Sequence, residues 1–148
     1  MIARRPVTKA LVVLLADATG KPCGNGSLPR TSTGPVPPPY TVLHLVGWDV
    51  QGAPMSDLSE DASALYQAVC VGETTDQVEW LADRVLAAVL ERDPVTGRWR
   101  YPLVLPAGVV CRGRLLDVDT GTDPVPGDGI VNDMIRFRLD LTSRTTQL

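Results

Sequence analysis

Near the end of the chain, Ile135, Phe137, Leu139 and Leu141 alternate with Arg136, Arg138, Asp140 and Thr142. A period of two places the apolar set on one face of a strand and the polar set on the other. Such a strand requires a sheet with one covered face, and amphipathic helices are the usual cover. The sequence offers two. In the stronger, Thr74 and Gln77 have capping-box spacing, and Val78, Leu81, Ala82, Val85, Leu86, Val89 and Leu90 form a broad apolar stripe. Asp76 and Glu79 suit the positive end of this helix, Arg92 suits its negative end, and Pro94 predicts the stop. The other helix begins at Arg5 or Pro6, carries Val7, Ala10, Leu11, Leu14, Leu15 and Ala18 at helical spacing, and ends at Gly20.

Tyr40–Val46 and Ala62–Val71 read as a pair of strands, Val109–Val118 as a third and Met134–Leu141 as the last. Pro102 and Pro106 limit the segment from Arg98 to Pro106 to a short edge strand at most. The order helix, strand, strand, helix, strand, strand predicts an α+β fold, a small, mainly antiparallel sheet of about four strands with both helices packed on one face. At 148 residues the chain suits a single domain spanning 1–148.

Three segments fall outside this pattern. Residues 20–39 hold Pro22, Pro29, Pro35, Pro37, Pro38 and Pro39 among glycines and hydroxyl residues, which predicts an extended connector, polyproline-like near 37–39. A partner-binding arm and a plain surface loop are about equally good readings of it. Trp48 to Glu60 reads as a polar connection, and Asp119 to Asp133 as an acidic loop rich in Gly and Pro.

Charge and chemistry exclude several functions. The 14 basic and 17 acidic residues leave a net charge of -3, which argues against coating duplex DNA. Ala10 to Ala16 is the longest apolar run, far short of the ~20 residues that span a bilayer, so no membrane role is expected and the chain reads as intracellular. Cys23, Cys70 and Cys111 have neither disulfide nor zinc-site spacing, and the last two are expected to be buried thiols. Neither a metal nor a cofactor is expected. Gly20, Lys21, Gly24, Gly26 and Ser27 lack the order of a phosphate-binding loop, and Asp117 to Asp128 places its glycine at the wrong position for a calcium loop. His44, the single histidine, lies in a strand, and no serine sits in a nucleophile elbow, so a structural role is expected and no enzymatic one. Arg112, Arg114, Arg136 and Arg138 would form an outward basic ladder if the last two strands were neighbours, with Asp117 and Asp140 neutralising it.

The stretch from Tyr66 to Leu90, YQAVCVGETTDQVEWLADRVLAAVL, resembles the tail terminator proteins of long-tailed phages that infect actinobacteria. The resemblance extends to the proline-rich stretch before Tyr40–Val46, the acidic turn Asp57–Asp61, the helix start Gln77–Asp83 and the closing strand Met134–Leu141, in that order. It implies a small α+β domain that assembles as a ring, usually of six subunits. The ring docks on the last ring of tail-tube protein, stops polymerisation and offers its other face to the head connector. The implied place is the head-proximal end of the tail in the virion, after synthesis in the host cytoplasm, with DNA only passing through. Contacts with other copies, tube or connector are then expected at Pro29, Arg30, Pro37, Pro38, Trp48, Asp57, Glu60, Asp119, Asp123 and Asp128, and some acidic loop residues are expected on the channel wall. The rival reading is a non-catalytic protein-binding module or a neighbouring head-side neck protein.

Overall fold

The computed structural model describes residues 2–51, 60–125 and 129–143. Helix α1 (Arg4–Thr19) turns Val7, Leu11, Leu14 and Leu15 inward and ends where Gly20 takes a left-handed φ of 70° that favours glycine. Helix α2 (Thr75–Leu90) starts as its sequence predicts: Thr74 Oγ1 accepts from the Gln77 backbone N–H at 3.2 Å. The Gln77 side chain answers one residue earlier than the standard box, accepting from the Glu73 N–H at 2.8 Å.

Between the helices run β1 (Cys23–Asn25), the two short strands β2 (Arg30–Thr31) and β3 (Gly34–Pro35), then β4 (Tyr40–Gln51) and β5 (Glu60–Gly72). After α2 come β6 (Val109–Val125) and β7 (Ile130–Ser143). The main sheet is five-stranded, in the order β1-β4-β5-β7-β6, and β2 and β3 pair as a separate two-stranded sheet. β1 lies parallel to β4, and every other pairing in the main sheet is antiparallel.

The main sheet has one strand more than the about four expected, and residues 20–39 differ from the extended connector expected there. Cys23–Asn25 pairs with Thr41–Leu43, and the Thr41 N–H donates to the Pro22 carbonyl at 3.0 Å. Proline removes a donor but leaves its carbonyl free, so Pro22 can flank an edge strand that the proline count seemed to forbid. Gly24 is required there: a Cβ on it would lie 2.0 Å from the Ser27 carbonyl oxygen. The two polar loops are also shorter than the sequence predicts. Trp48 to Gln51 continues β4, Asp119 to Val125 continues β6, and Ile130 to Asp133 opens β7. The segment 98–106 forms no named strand; it is tied to the end of α2 by a bridge between Arg92 and Trp99 and by the Arg100–Glu91 ion pair at 2.7 Å.

Both helices cover one face of the sheet. The core joins Val7, Leu11 and Leu15 of α1 and Val78, Leu81 and Val85 of α2 to Leu43, Tyr66, Phe137 and Leu139 of the strands. Tyr66 and Phe137 stack with ring centroids 6.0 Å apart, and the buried Tyr66 hydroxyl shares a 2.8 Å hydrogen bond with Thr8 of α1. Among the described residues no helix is long and apolar enough to cross a membrane. Replacing Phe137 by Ala is expected to cost about 3–5 kcal/mol, because the fully buried ring would leave a cavity between helix and sheet. Urea unfolding followed by far-ultraviolet circular dichroism measures it.

Candidate assembly surfaces

β6 is an edge strand whose register against β7 slips at Cys111/Gly113, at Leu116/Val118 and at Asp119/Thr122. Each slip reverses which side chains face the helices, because strand side chains alternate with period two. At the first, Arg112 is the extra residue, so Arg114 sits opposite the core residue Leu139 instead of facing outward. The expected outward ladder is therefore broken: Arg114 is 5% exposed and points toward α2.

There its guanidinium donates to the carbonyls of Ala88 and Val89 at 3.5 and 3.4 Å, and to the Tyr101 carbonyl at 2.8 Å. A cation at the carbonyl end of a helix is favourable, and here it comes from a distant strand. Arg92, expected to serve that end, lies beyond the last helical residue and stacks over Trp99 at 4.0 Å, with Arg114 4.7 Å from the same ring. Two guanidinium groups thus lie against the Trp99 ring. The other two tryptophans also meet cations: Trp80 lies beside Arg84 and Lys21, and Trp48 beside Arg4.

Among the described residues, no helix packs on the other face of the sheet. Tyr40, Val42 and Val71 form a small apolar cluster at one end of it. At the other, Asp49, Gln51, Asp61, Ser63, Arg112 and Asp140 line an open cleft of about 430 Å³, where Asp61 accepts a hydrogen bond from Thr142. Arg136 donates to Gln67 at 3.1 Å, whereas the exposed Arg138 stands between Leu65 and Leu115 on the neighbouring strands with no hydrogen bond or ion pair among the described residues. His44 lies on this face opposite Gln67.

On the helix-covered side, an acidic corner forms where β6 and β7 pass α2. Asp133 is 4% exposed, sits in one row with Cys70 and Thr122, and its Oδ1 has no hydrogen-bond partner. Burial, then the hydrogen bond and charge of Asp119, then the charges of Asp83 and Glu79, push the Asp133 carboxyl up to about 7. Burial also raises the Cys70 thiol, with Asp133 and Asp119 adding to it, and raises the half-buried Cys23 to about 12. All three cysteines are free; Cys111 is half-buried, not fully buried as expected.

The residues expected at interfaces do not form one surface. Pro29 and Arg30 lead into the β2–β3 hairpin, with the Pro29 carbonyl accepting from Val36 at 3.1 Å. Pro37 and Pro38 link that hairpin to β4, and the Pro38–Pro39 peptide is cis. Trp48 is a half-buried residue within β4, which corrects its placement in a loop, and Glu60 opens β5. Asp119 and Asp123 lie within β6, and Asp119 joins the acidic corner. Asp57 and Asp128 lie outside the described residues. Sequence reasoning missed the inward turn of Arg114, which depends on the bulged register of β6, and placed Asp133 in a loop although it continues the inward alternation of Ile135 to Leu141.

No protein-family model matches the chain, and no curated protein matches it. A chain from the solved structure "Virion of native gene transfer agent (GTA) particle" is similar to it, with a TM-score of 0.61 and 17% sequence identity. The match covers 93% of this chain and 96% of that one. At this identity the likeness is one of fold.

Replacing Arg114 by Met keeps much of the aliphatic stem but removes the guanidinium, and is expected to cost roughly 2–3 kcal/mol by freeing the α2 and Tyr101 carbonyls. Urea titration measures this, with loss of Trp99 fluorescence anisotropy reporting release of the 91–106 segment. The raised Asp133 carboxyl has a second consequence. The folded chain keeps a proton that the unfolded chain, at the ordinary value of 3.8, releases. This group therefore lowers stability as pH rises from about 4 to about 7, and the loss is complete above that. Asp133→Asn should melt higher than the parent chain at pH 8 and lose that part of the slope, as read by thermal melts across pH.

Proposed function

We propose that this chain is a virion structural protein and, within that class, a tail terminator that caps the tail tube as a ring. The observation that carries the reading is the end-to-end fold likeness to a chain of a gene transfer agent virion, covering 93% of one and 96% of the other. The resemblance of Tyr66 to Leu90 and the segments around it to tail terminators supports the finer assignment. Ring closure by rotation needs two different, mutually complementary patches on each subunit. The chain has a sheet face without a covering helix, on which Arg138 has no hydrogen bond or ion pair among the described residues, and, on the other side of the sheet, an acidic corner.

In this reading the partners are further copies, a hexamer being the expected ring, together with tail-tube protein on one face and a head connector on the other. DNA passes through without specific binding, consistent with the net charge of -3. The place is the head-proximal end of the tail. The β2–β3 hairpin and the Pro37–Pro38 link are the projecting parts suited to contacts beyond the ring. In this reading no chemical step belongs to the role, and His44 lies opposite Gln67 across the strands.

The test is tube polymerisation. Purified tail-tube subunits grown with this protein are expected to stop at a density visible at one end by electron microscopy, and light scattering should detect a closed ring. Tubes that grow unchanged while the protein binds only head-side connectors would move the assignment to the neck.

A further inference from the structure

The acidic corner has a composition that a free subunit does not balance. Glu79 and Asp83 lie one turn apart on α2, Asp119 lies on β6 and Asp133 on β7, and none has a cationic partner among the described residues. The buried carboxylate is the informative member: Asp133 is 96% withdrawn from solvent, yet its Oδ1 meets no donor. A buried acceptor without a donor is costly, so such an atom beside three further carboxylates points to a donor supplied from outside the subunit.

The donor's chemistry follows from the spread of the acceptors. No three carboxylate, thiol or imidazole groups among the described residues converge closely enough to hold a metal ion. A guanidinium suits the corner better, since its planar fork carries five donors and can bridge carboxylates on different elements.

The chain itself carries a fitting donor on the opposite side of the sheet. Arg138 is exposed, has no hydrogen bond or ion pair among the described residues, and is flanked by Leu65 and by Leu115, which is 56% exposed. An arginine inside an apolar collar is a common interface anchor, because the collar excludes water once it is covered. Arg112 is a weaker donor, since Asp49, Asp61 and Asp140 line the same cleft. Arg138 and the acidic corner lie on opposite sides of one sheet, so they cannot meet within a subunit, and pairing them between subunits gives a head-to-tail contact of the kind that closes a ring.

We propose that the corner formed by Glu79, Asp83, Asp119 and Asp133 is the receiving half of a contact between copies of this chain, and that it takes the Arg138 guanidinium of the adjacent copy. The proposal rests on the ring reading above. It links docking to protons: the arriving cation favours the ionised form of Asp133, so docking releases a proton and strengthens with rising pH. The groups facing Asp133 are Glu79 and Asp83 from α2, Asp119 from β6 and the thiol of Cys70 from β5; burial and the nearby carboxylates keep that thiol neutral.

The experiment is a charge exchange in the full-length chain, with folding of each variant checked by circular dichroism and association followed by multi-angle light scattering. Arg138→Glu and Asp119→Arg are each expected to weaken ring formation roughly tenfold or more. The double variant is expected to regain rings, and the parent's rings to strengthen between about pH 6 and about pH 8. Parent rings that persist unchanged in both single variants would overturn the proposal and leave the ring reading intact. A parent chain that stays monomeric alone and on tail tubes would overturn both. Rings abolished by a chelator and restored by magnesium would assign the corner to a metal ion instead.

Discussion

A sheet covered on one face is the constraint on which the rest of this molecule depends. Both helices pack on the same side, bringing Leu11, Leu15, Leu81 and Val85 onto Tyr66, Phe137 and Leu139, and among the described residues no helix covers the other side. Antiparallel sheets tolerate this when the second face is polar, and here Gln67, Arg136, Arg138 and Asp140 make it so. The face is not uniformly polar, however. Val110, Leu115 and Val118 are exposed on β6, and an edge strand with exposed apolar residues is a surface that either aggregates or has a partner. Three register slips along β6 interrupt the regular row of backbone groups that uncontrolled strand pairing would need.

Those slips do more than protect an edge. The extra residue at Arg112 turns Arg114 from the open face to the helix face, where it satisfies carbonyls at the end of α2 and fixes Trp99 beside it. A second slip, before Val118, restores the original alternation, so Asp119 faces the same side as Asp133. One edge strand thus supplies a cation to the carboxyl end of α2 and a carboxylate beside its flank. The first contact stabilises the subunit. The second lowers its stability as pH rises, in the manner of a group kept for a partner and not for the fold.

Under the reading proposed above, a structural role in a virion would join these features. On that reading, a subunit whose open sheet face and acidic corner complement those of its neighbours is incomplete alone, and incompleteness is what a self-assembling cap requires.

Much of this was legible in the sequence. The alternation from Ile135 to Leu141 fixed a strand with one covered face, the stripes of α1 and α2 identified its cover, and Thr74 with Gln77 marked the start of α2 to within a residue. Side-chain periodicity and capping are local, so one stretch of chain suffices to reveal them. The parallel edge strand at Cys23–Asn25 was hidden by its prolines, and the inward turn of Arg114 by a bulge that no periodicity announces. The meeting of Asp119, Asp133, Glu79 and Asp83 was likewise decided only by the tertiary structure. The reason is physical: strand register is set by backbone hydrogen bonds between segments far apart in the chain, and a slip of one residue there moves every following side chain to the other face.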